Sequence, residues 1–382
     1  MTSRGLRSLR PVHVVGVGLH PYRSPSDAAY PALGVHAVRA ALADAGLSWP
    51  DVQTAYTGTA TTVMALSRLM YRHLGVTGIP MVQVENASAS GSSAFRQACI
   101  DVASGLHDVA IAVGVDKPLH IRFPHPVAGV RDLTGDRVVP FTHFALLANR
   151  YLHESKSDVA QLGLVAVKNS RNGALNPFAQ RRRALTLDEV LAPPAISGVL
   201  TRLQCCPVGE GAAAAIVASD AAIERLGLDQ ARSVRVLSST ARSETVYPGQ
   251  DPDAALTRET AEQAFLEAGV VPADLDVVEL HDAFTVEELL YLEAMGISPD
   301  GEAAHRLAEG EFDIGGRVAV SPSGGLLSMG HPVGPTGVGQ ICEITRQLRG
   351  EAGERQQPDA TLGLAHMVGV GEVCVIHILE AP

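Results

Sequence analysis

The sequence predicts an α/β protein built from two similar halves with a separate lobe between them. Three observations carry the prediction. First, 46% of the 382 residues are hydrophobic and 37 are glycine, but only 4% are aromatic, a composition suited to close-packed layers of helix on sheet. Second, a helix–glycine–loop–strand unit occurs twice, as AALADAGLSWPDVQTAYTG at 40–58 and as QAFLEAGVVPADLDVVELHD at 263–282. Third, residues 119–214 match neither copy and are rich in His, Arg and Pro, as in HIRFPHP, the RRR run and LAPPA.

In the aligned units Gly46 falls on Gly269, Asp51 on Asp274 and Val52 on Leu275. Each glycine suits the left-handed residue that ends an amphipathic helix. A β-branched run precedes each unit, HVVGVG at 13–18 and VRVLSS at 234–239. A small-residue turn and a second helix follow each. In the first half these are ASASGSSAFRQACIDVASG and then the strand VAIAVGV. In the second they are GGLLSMGHPVGPTGVGQICEITRQLRG and then the strand ATLGLAHMVGVGEVCVIHIL. The expected units are therefore residues 1–118, an inserted loop or lid at 119–214 whose end rejoins the first half, and 215–382. An insertion between matched halves forms a natural wall for a substrate tunnel.

Charge and cysteine usage exclude several classes. The net charge of −11 argues against nucleic acid or an anionic membrane as the main partner. Five scattered cysteines (Cys99, Cys205, Cys206, Cys342 and Cys374) with no CxxC fit neither a disulfide framework nor a zinc site. The basic N-terminus lacks an apolar run long enough for a signal peptide, and no 18-residue apolar span occurs. A reducing cytoplasm is the expected compartment, with no membrane span and no bound metal.

Four segments could carry chemistry. In VENASASGSSAF (84–95) Ser88 lies at the centre of a small-residue turn feeding a helix, where N–H groups and the helix dipole favour a nucleophile or an oxyanion. Read alone, this turn is equally a tight helix entrance with a serine cap. In GHPVGPTG (330–337) His331 is pinned between glycine and proline. In VVELHDAFTVEELL an apolar strand is expected to end at His281 and Asp282, with a helix from about Thr285 carrying Glu287 and Glu288 in its first turn. In LAHMVGVG His366 interrupts an apolar stretch. Two imidazole N–H groups converging on one carbonyl oxygen would stabilise an enolate. Phosphate loops, HExxH, EF-hand loops and GxSxG are absent, and HVVGVGLHP lacks the third glycine and the acid of a dinucleotide fingerprint.

These residues resemble those of the thiolases, in particular the sterol-carrier-protein-2 thiolase or lipid-transfer-protein branch. The likeness runs the length of the chain through LQCCPVGEGAAAAIVAS, HDAF, SPSGGLLSMGHPVGPTG and QLRGEAGERQ. It implies a five-layered α-β-α-β-α sandwich with a loop domain, a homodimer or homotetramer, and an acyl-CoA thioester as substrate rather than a separate cofactor. It also places Ser88 where the family carries its acyl-accepting cysteine, and Ala283 where an HDCF cysteine acts as acid/base. His366 stands where other thiolases have a second cysteine, and Ser321 replaces the asparagine before PSGG. His281 and His331 match the enolate-binding pair. Several relatives with HDAF work beside a small zinc-ribbon/OB-fold partner protein, so the resemblance offers such a partner here.

A serine hydroxyl needs a base to attack, which His331 or His366 could supply. Three readings follow. In the first, the protein is an acyltransferase with Ser88 as acyl acceptor, His281 and His331 as oxyanion donors and His366 as base. In the second it is a CoA-thioester lyase, aldolase or decarboxylase without an acyl-enzyme. In the third it is a non-catalytic acyl-CoA- or lipid-binding subunit. Arg181, Arg182 and Arg183 are candidates for CoA phosphates, although a solvated basic loop explains them as well.

Overall fold

A computed structural model describes residues 5–60, 64–117, 140–247, 251–369 and 373–382. The HIRFPHP segment and residues 370–371 of LAHMVGVG lie outside the described residues. The first half contributes β1 (His13–Arg23), β2 (Thr54–Gly58), β3 (Met81–Val84) and β4 (Val109–Asp116). The lobe holds the short hairpin β5 (Ala195–Ser197) and β6 (Leu200–Thr201), after which β7 (Glu210–Ala218) returns to the first half. The second half contributes β8 (Val234–Ser243), β9 (Val277–Glu279), β10 (Ala319–Val320), β11 (Leu362–Gly369) and β12 (Val373–Glu380).

Ten of these strands form one mixed sheet in the order β10-β9-β11-β12-β8-β1-β7-β4-β2-β3. Divided between β8 and β1, the two halves have one topology: within each, the strands taken in chain order lie as third, second, fourth, fifth, first. The seam is slight, with only His13–Arg235 and Val14–Val234 paired across it. The duplication read from one helix–strand unit thus extends to the whole of each half.

The lobe enters at a defined point of this repeat. In the second half β11 and β12 pair antiparallel from Leu362–Glu380 to Gly369–Val373. The equivalent β4 and β7 pair from Val109–Ala218 to Asp116–Gly211, and the excursion connects their ends. The stretch 360–379, read in the sequence as a single strand, is therefore two. Likewise β7 runs through the expected boundary at 214 and stays in the first half to Ala218.

Helix Tyr30–Ala45 covers the outer face of the first half and helix Pro252–Ala268 that of the second. They end at Gly46 (φ 68°) and Gly269 (φ 70°), as the alignment required. Helices Ser90–Ser104 and Thr336–Leu348 pack on each other and on strands of both halves, forming the central layer. The result is the α-β-α-β-α sandwich expected. A Cβ at Gly16 or Gly18 of β1 would collide with the backbone of Ala41 or Ala37, so these glycines seat a helix on the strand rather than a cofactor.

The lobe's helices Pro140–Ser155 and Val159–Leu175 pack on the second half, and Leu187–Leu191 packs on Val159–Leu175. There Phe144, Tyr151, Leu162 and Val165 share one core with Phe284, Leu289 and Leu292. Among the described residues no helix is long and apolar enough to cross a membrane.

Candidate active site

The Ser88 turn is shaped by its own side chains. Ala87 takes a left-handed backbone (φ 47°), reversing the chain between β3 and the central helix. Around it the Glu85 carboxylate accepts the Ala87 N–H (2.7 Å), and the Asn86 side chain donates to Ser93 Oγ (2.8 Å). The Asn86 N–H donates to Ser90 Oγ (2.9 Å), whose hydroxyl donates to the Ala87 carbonyl (2.6 Å). The helix begins at Ser90 with Ala89 at its cap and no side-chain cap bond, which corrects the reading of a serine cap. Ser88 is left with its hydroxyl directed elsewhere.

It is directed at His331: Ser88 Oγ lies 3.0 Å from His331 Nε2. The two turns meet because the central helices carry glycine where they touch. A Cβ at Gly91 would strike the Gly334 carbonyl, and one at Gly337 would strike Ser92. Gly330 (φ 107°) and Val333 (φ 59°) wind the His331 turn, and His331 Nδ1 lies 2.9 Å from Thr336 Oγ1. His331 keeps some surface toward the site, but its ring is enclosed by protein. That enclosure, then the nearby His281, holds its pKa well below the usual histidine value.

His281 follows β9, which ends at Glu279 rather than at the histidine. Its Nδ1 donates to Glu287 Oε1 (2.8 Å), and Glu287 also accepts the Phe284 N–H (2.8 Å) and the Tyr291 hydroxyl (3.2 Å). Nε2 of His281 is buried without a hydrogen-bond partner. The rings of His281 and His331 stand edge to face, 5.4 Å between centres and 86° between planes.

His366 does not join them. On β11, its Nδ1 accepts the His281 backbone N–H (3.4 Å), which leaves the proton on Nε2 to donate to Thr257 Oγ1 (3.1 Å). Burial, then His281, pushes its pKa down to about 3. Both ring nitrogens are occupied, and the imidazole at Ser88 is that of His331.

Two family descriptions match the chain: "Thiolase, N-terminal domain" over residues 18–221 and "Thiolase C-terminal domain-like" over 239–381. The chain belongs to the thiolase family. It is 34% identical to sterol carrier protein 2 of Homo sapiens, the match covering 98% of this chain and 72% of that protein. It is also 34% identical to the benzoylsuccinyl-CoA thiolase subunit BbsB of Thauera aromatica, over 95% of each. Among solved structures, an Ltp2-ChsH2(DUF35) aldolase superimposes with a TM-score of 0.82 and 26% identity, covering 98% of both chains.

In this thiolase-family chain the histidine pair rests on a buried polar network that the sequence reading missed. Asp282 accepts the Leu326 N–H (2.7 Å) and the Asn169 amide (2.7 Å). Asn169 also donates to Glu288 (2.9 Å), which pairs with Lys168 (3.1 Å). Burial, then the Glu288 charge, raises the Asp282 carboxyl well above its usual range. The signal was the KN pair within the apolar lobe helix Val159–Leu175, since a lysine on a buried face needs an acid.

The segment CCPV is strung between the two histidine turns. The Cys206 N–H donates to the Ala283 carbonyl (2.8 Å), Cys205 bridges to Phe284, and Val208 bridges to His331. Burial raises both thiols, Cys205 to about 11, so neither supplies a ready thiolate. Phe284 stacks on Phe144 (4.2 Å) and meets Phe141 edge to face (5.6 Å), and Phe141 is 44% exposed beside it. Of the three arginines, Arg181 donates from one guanidinium nitrogen to the carbonyls of Cys205 (3.1 Å) and Leu327 (3.0 Å), while Arg183 pairs with Glu189 (2.6 Å). Among the described residues no three His, Cys, Asp or Glu side chains converge as a metal site.

Proposed function

We propose that this protein breaks or forms a carbon–carbon bond next to a CoA-thioester carbonyl by an aldol-type reaction, with His331 as its acid/base and His281 as the oxyanion donor. The observation that carries this reading is the pair of perpendicular imidazoles, 5.4 Å apart, with one Nε2 unpartnered and the other meeting only a hydroxyl. A Claisen condensation between thioesters needs a base for the α-carbon in addition to an acyl acceptor. Ala283, at the position where the resemblance puts a cysteine, supplies none. A retro-aldol cleavage needs a single shuttle. The likeness to an aldolase, at higher identity than fold alone requires, supports the same choice.

The substrate class is a 3-hydroxyacyl-CoA thioester. His331, kept neutral by its surroundings, takes the 3-hydroxyl proton at Nε2. The bond between carbons 2 and 3 breaks as the 3-hydroxyl oxygen becomes the carbonyl of the released aldehyde or ketone. The electron pair enters the thioester as an enolate, whose oxygen accepts from His331 Nε2–H and from His281. His281 serves as donor through Nε2–H, with its ring held in place by the Glu287 carboxylate on Nδ1. Return of the proton to carbon 2 gives the shortened acyl-CoA.

A partner of the DUF35 kind and assembly as a homodimer belong to the same proposal, on the likeness to the Ltp2-ChsH2(DUF35) aldolase and to the family. Incubation with 3-hydroxyacyl-CoA thioesters, alone and with such a partner, tests it. The expected products are the shortened acyl-CoA and a free carbonyl fragment, with His331→Ala slower by roughly 10²–10⁴-fold. No cleavage of any member of the series under either condition would overturn it.

The 3.0 Å contact between Ser88 and His331 favours a second reading, in which Ser88 becomes acylated and the chain is an acyltransferase. That reading requires a covalent intermediate, and the aldol reading does not.

A further inference from the structure

Behind His331 lies a small cavity of about 10 Å³, the room one water molecule needs. Thr336, whose hydroxyl meets His331 Nδ1 at 2.9 Å, lines it together with Glu279, Gln340, Glu343 and Tyr22. Gln340 donates to the His366 carbonyl (3.2 Å), but its own Oε1 is buried without a partner. The two carboxylates differ. Glu343 is paired with the Arg355 guanidinium (2.9 Å). Among the described residues Glu279 has only the Ser323 N–H and hydroxyl as hydrogen-bond partners, each at 2.8 Å, although it is 2% exposed. A buried carboxyl without a cation in contact is costly, and no step described so far uses it.

We propose that Glu279 is the proton reservoir of His331, joined to it by the Thr336 hydroxyl and one water in this cavity. The inference rests on His331 being the base. When His331 Nε2 takes the substrate proton, the Nδ1 proton passes to Thr336 Oγ1, the Thr336 hydroxyl proton passes to the water, and a water proton passes to the Glu279 carboxylate. The ring ends neutral with its proton on Nε2, facing the enolate oxygen, and Glu279 ends as the acid. The reverse passage restores both. This removes the need for a positive charge on His331 in an enclosed site, which its suppressed basicity opposes.

Burial, then the charge of Glu343, pushes the Glu279 carboxyl up to about 8. The other charged or titratable groups around it are Lys168 and Asp282, whose influence reaches it through the interior, and Tyr22 at the cavity wall. A proton acceptor of this kind gives a rate that rises with pH and levels off above about 8.

The test compares wild type with Glu279→Gln, which keeps the shape but cannot take a proton, and with Thr336→Val, which interrupts the relay. With a 3-hydroxyacyl-CoA as substrate, both variants are expected to lose about 10- to 100-fold in kcat with KM little changed. Both should also lose the rising limb of the pH profile. A loss that is equal at all pH values, or a kcat within twofold of wild type in both variants, would overturn the relay. Histidine ¹⁵N resonances separate this from failure of the functional reading, because they need no turnover. The His331 resonances should titrate near pH 8 in wild type and not in Glu279→Gln, and an identical titration in both would also overturn it.

Discussion

The rings of His281 and His331 stand perpendicular, 5.4 Å between centres, but are held from behind by different groups. His281 Nδ1 is fixed by the Glu287 carboxylate at 2.8 Å, whereas His331 Nδ1 meets the neutral Thr336 hydroxyl at 2.9 Å. The carboxylate can only accept, which fixes Nδ1 of His281 as a donor, whereas the Thr336 hydroxyl can accept from or donate to Nδ1 of His331. Two residues of one type are thereby assigned donor and base by their second contacts.

Glu287→Gln tests the first assignment. It keeps one acceptor near His281 but removes the carboxylate that holds its Nδ1. The expected result is a fall of roughly 10²–10³-fold in kcat, with KM within a few-fold, measured on cleavage of a 3-hydroxyacyl-CoA. Unchanged kcat would separate Glu287 from the reaction.

His366 is expected to act on stability rather than on chemistry. It ties β11 to the His281 backbone and to Thr257, and its ring lies 4.7 Å from that of Tyr291. His366→Ala should cost about 2–4 kcal/mol in denaturant unfolding, with a far smaller loss of kcat than His331→Ala. A catalytic base would give the opposite ranking.

Lys168→Met should be among the most destabilising single substitutions in the lobe. The pair with Glu288 is fully buried, and loss of the cation leaves Glu288 and Asp282 uncompensated. Removal of one partner of such a pair costs about 3–5 kcal/mol. Lys168→Met/Glu288→Leu should recover part of it, as read by urea unfolding.

Stability should respond to pH with a sign set by the buried groups. His366 and His377 are both pushed to about 3, so between there and 6.5 the unfolded chain binds more protons than the folded one. Their contribution is complete above 6.5 and is lost as the pH falls toward 3. Glu279 runs the other way. Its carboxyl is raised from 4.5 to about 8, so its contribution is complete below 4.5 and is lost as the pH rises to about 8. Between pH 6.5 and 8, wild type should lose on the order of 2 kcal/mol that Glu279→Gln keeps, measured from denaturant midpoints in the two buffers. Parallel changes in both proteins would contradict this.

Much of this architecture was legible because it depends on local rules. Gly46 and Gly269 end equivalent helices in the left-handed conformation that glycine tolerates, so aligning them aligned the halves. Ser88 and His331 stood out because each lies in a turn of small residues that must pass close to something, and His281 because it closes an apolar strand. His366 was harder to place, since strand position alone does not say which neighbour occupies a ring nitrogen. The support beneath the site was hidden for a different reason. Asn169 and Lys168 come from the inserted lobe, and only tertiary packing brings them to Asp282 and Glu288. Glu279 read as one polar residue in an apolar strand, and its relation to Thr336 arises only when the central helix is laid over β9.

The central claim is that carbon–carbon chemistry here runs through the histidine pair without an acyl-enzyme. It is tested most directly by following cleavage of a 3-hydroxyacyl-CoA by Ser88→Ala, with intact-protein mass spectrometry of the wild type under the same conditions. The account predicts that the variant still cleaves within about tenfold of wild type and that the wild-type mass does not change. A dead variant, together with a wild-type mass gain of one acyl group at Ser88, would contradict the account and establish acyl transfer instead.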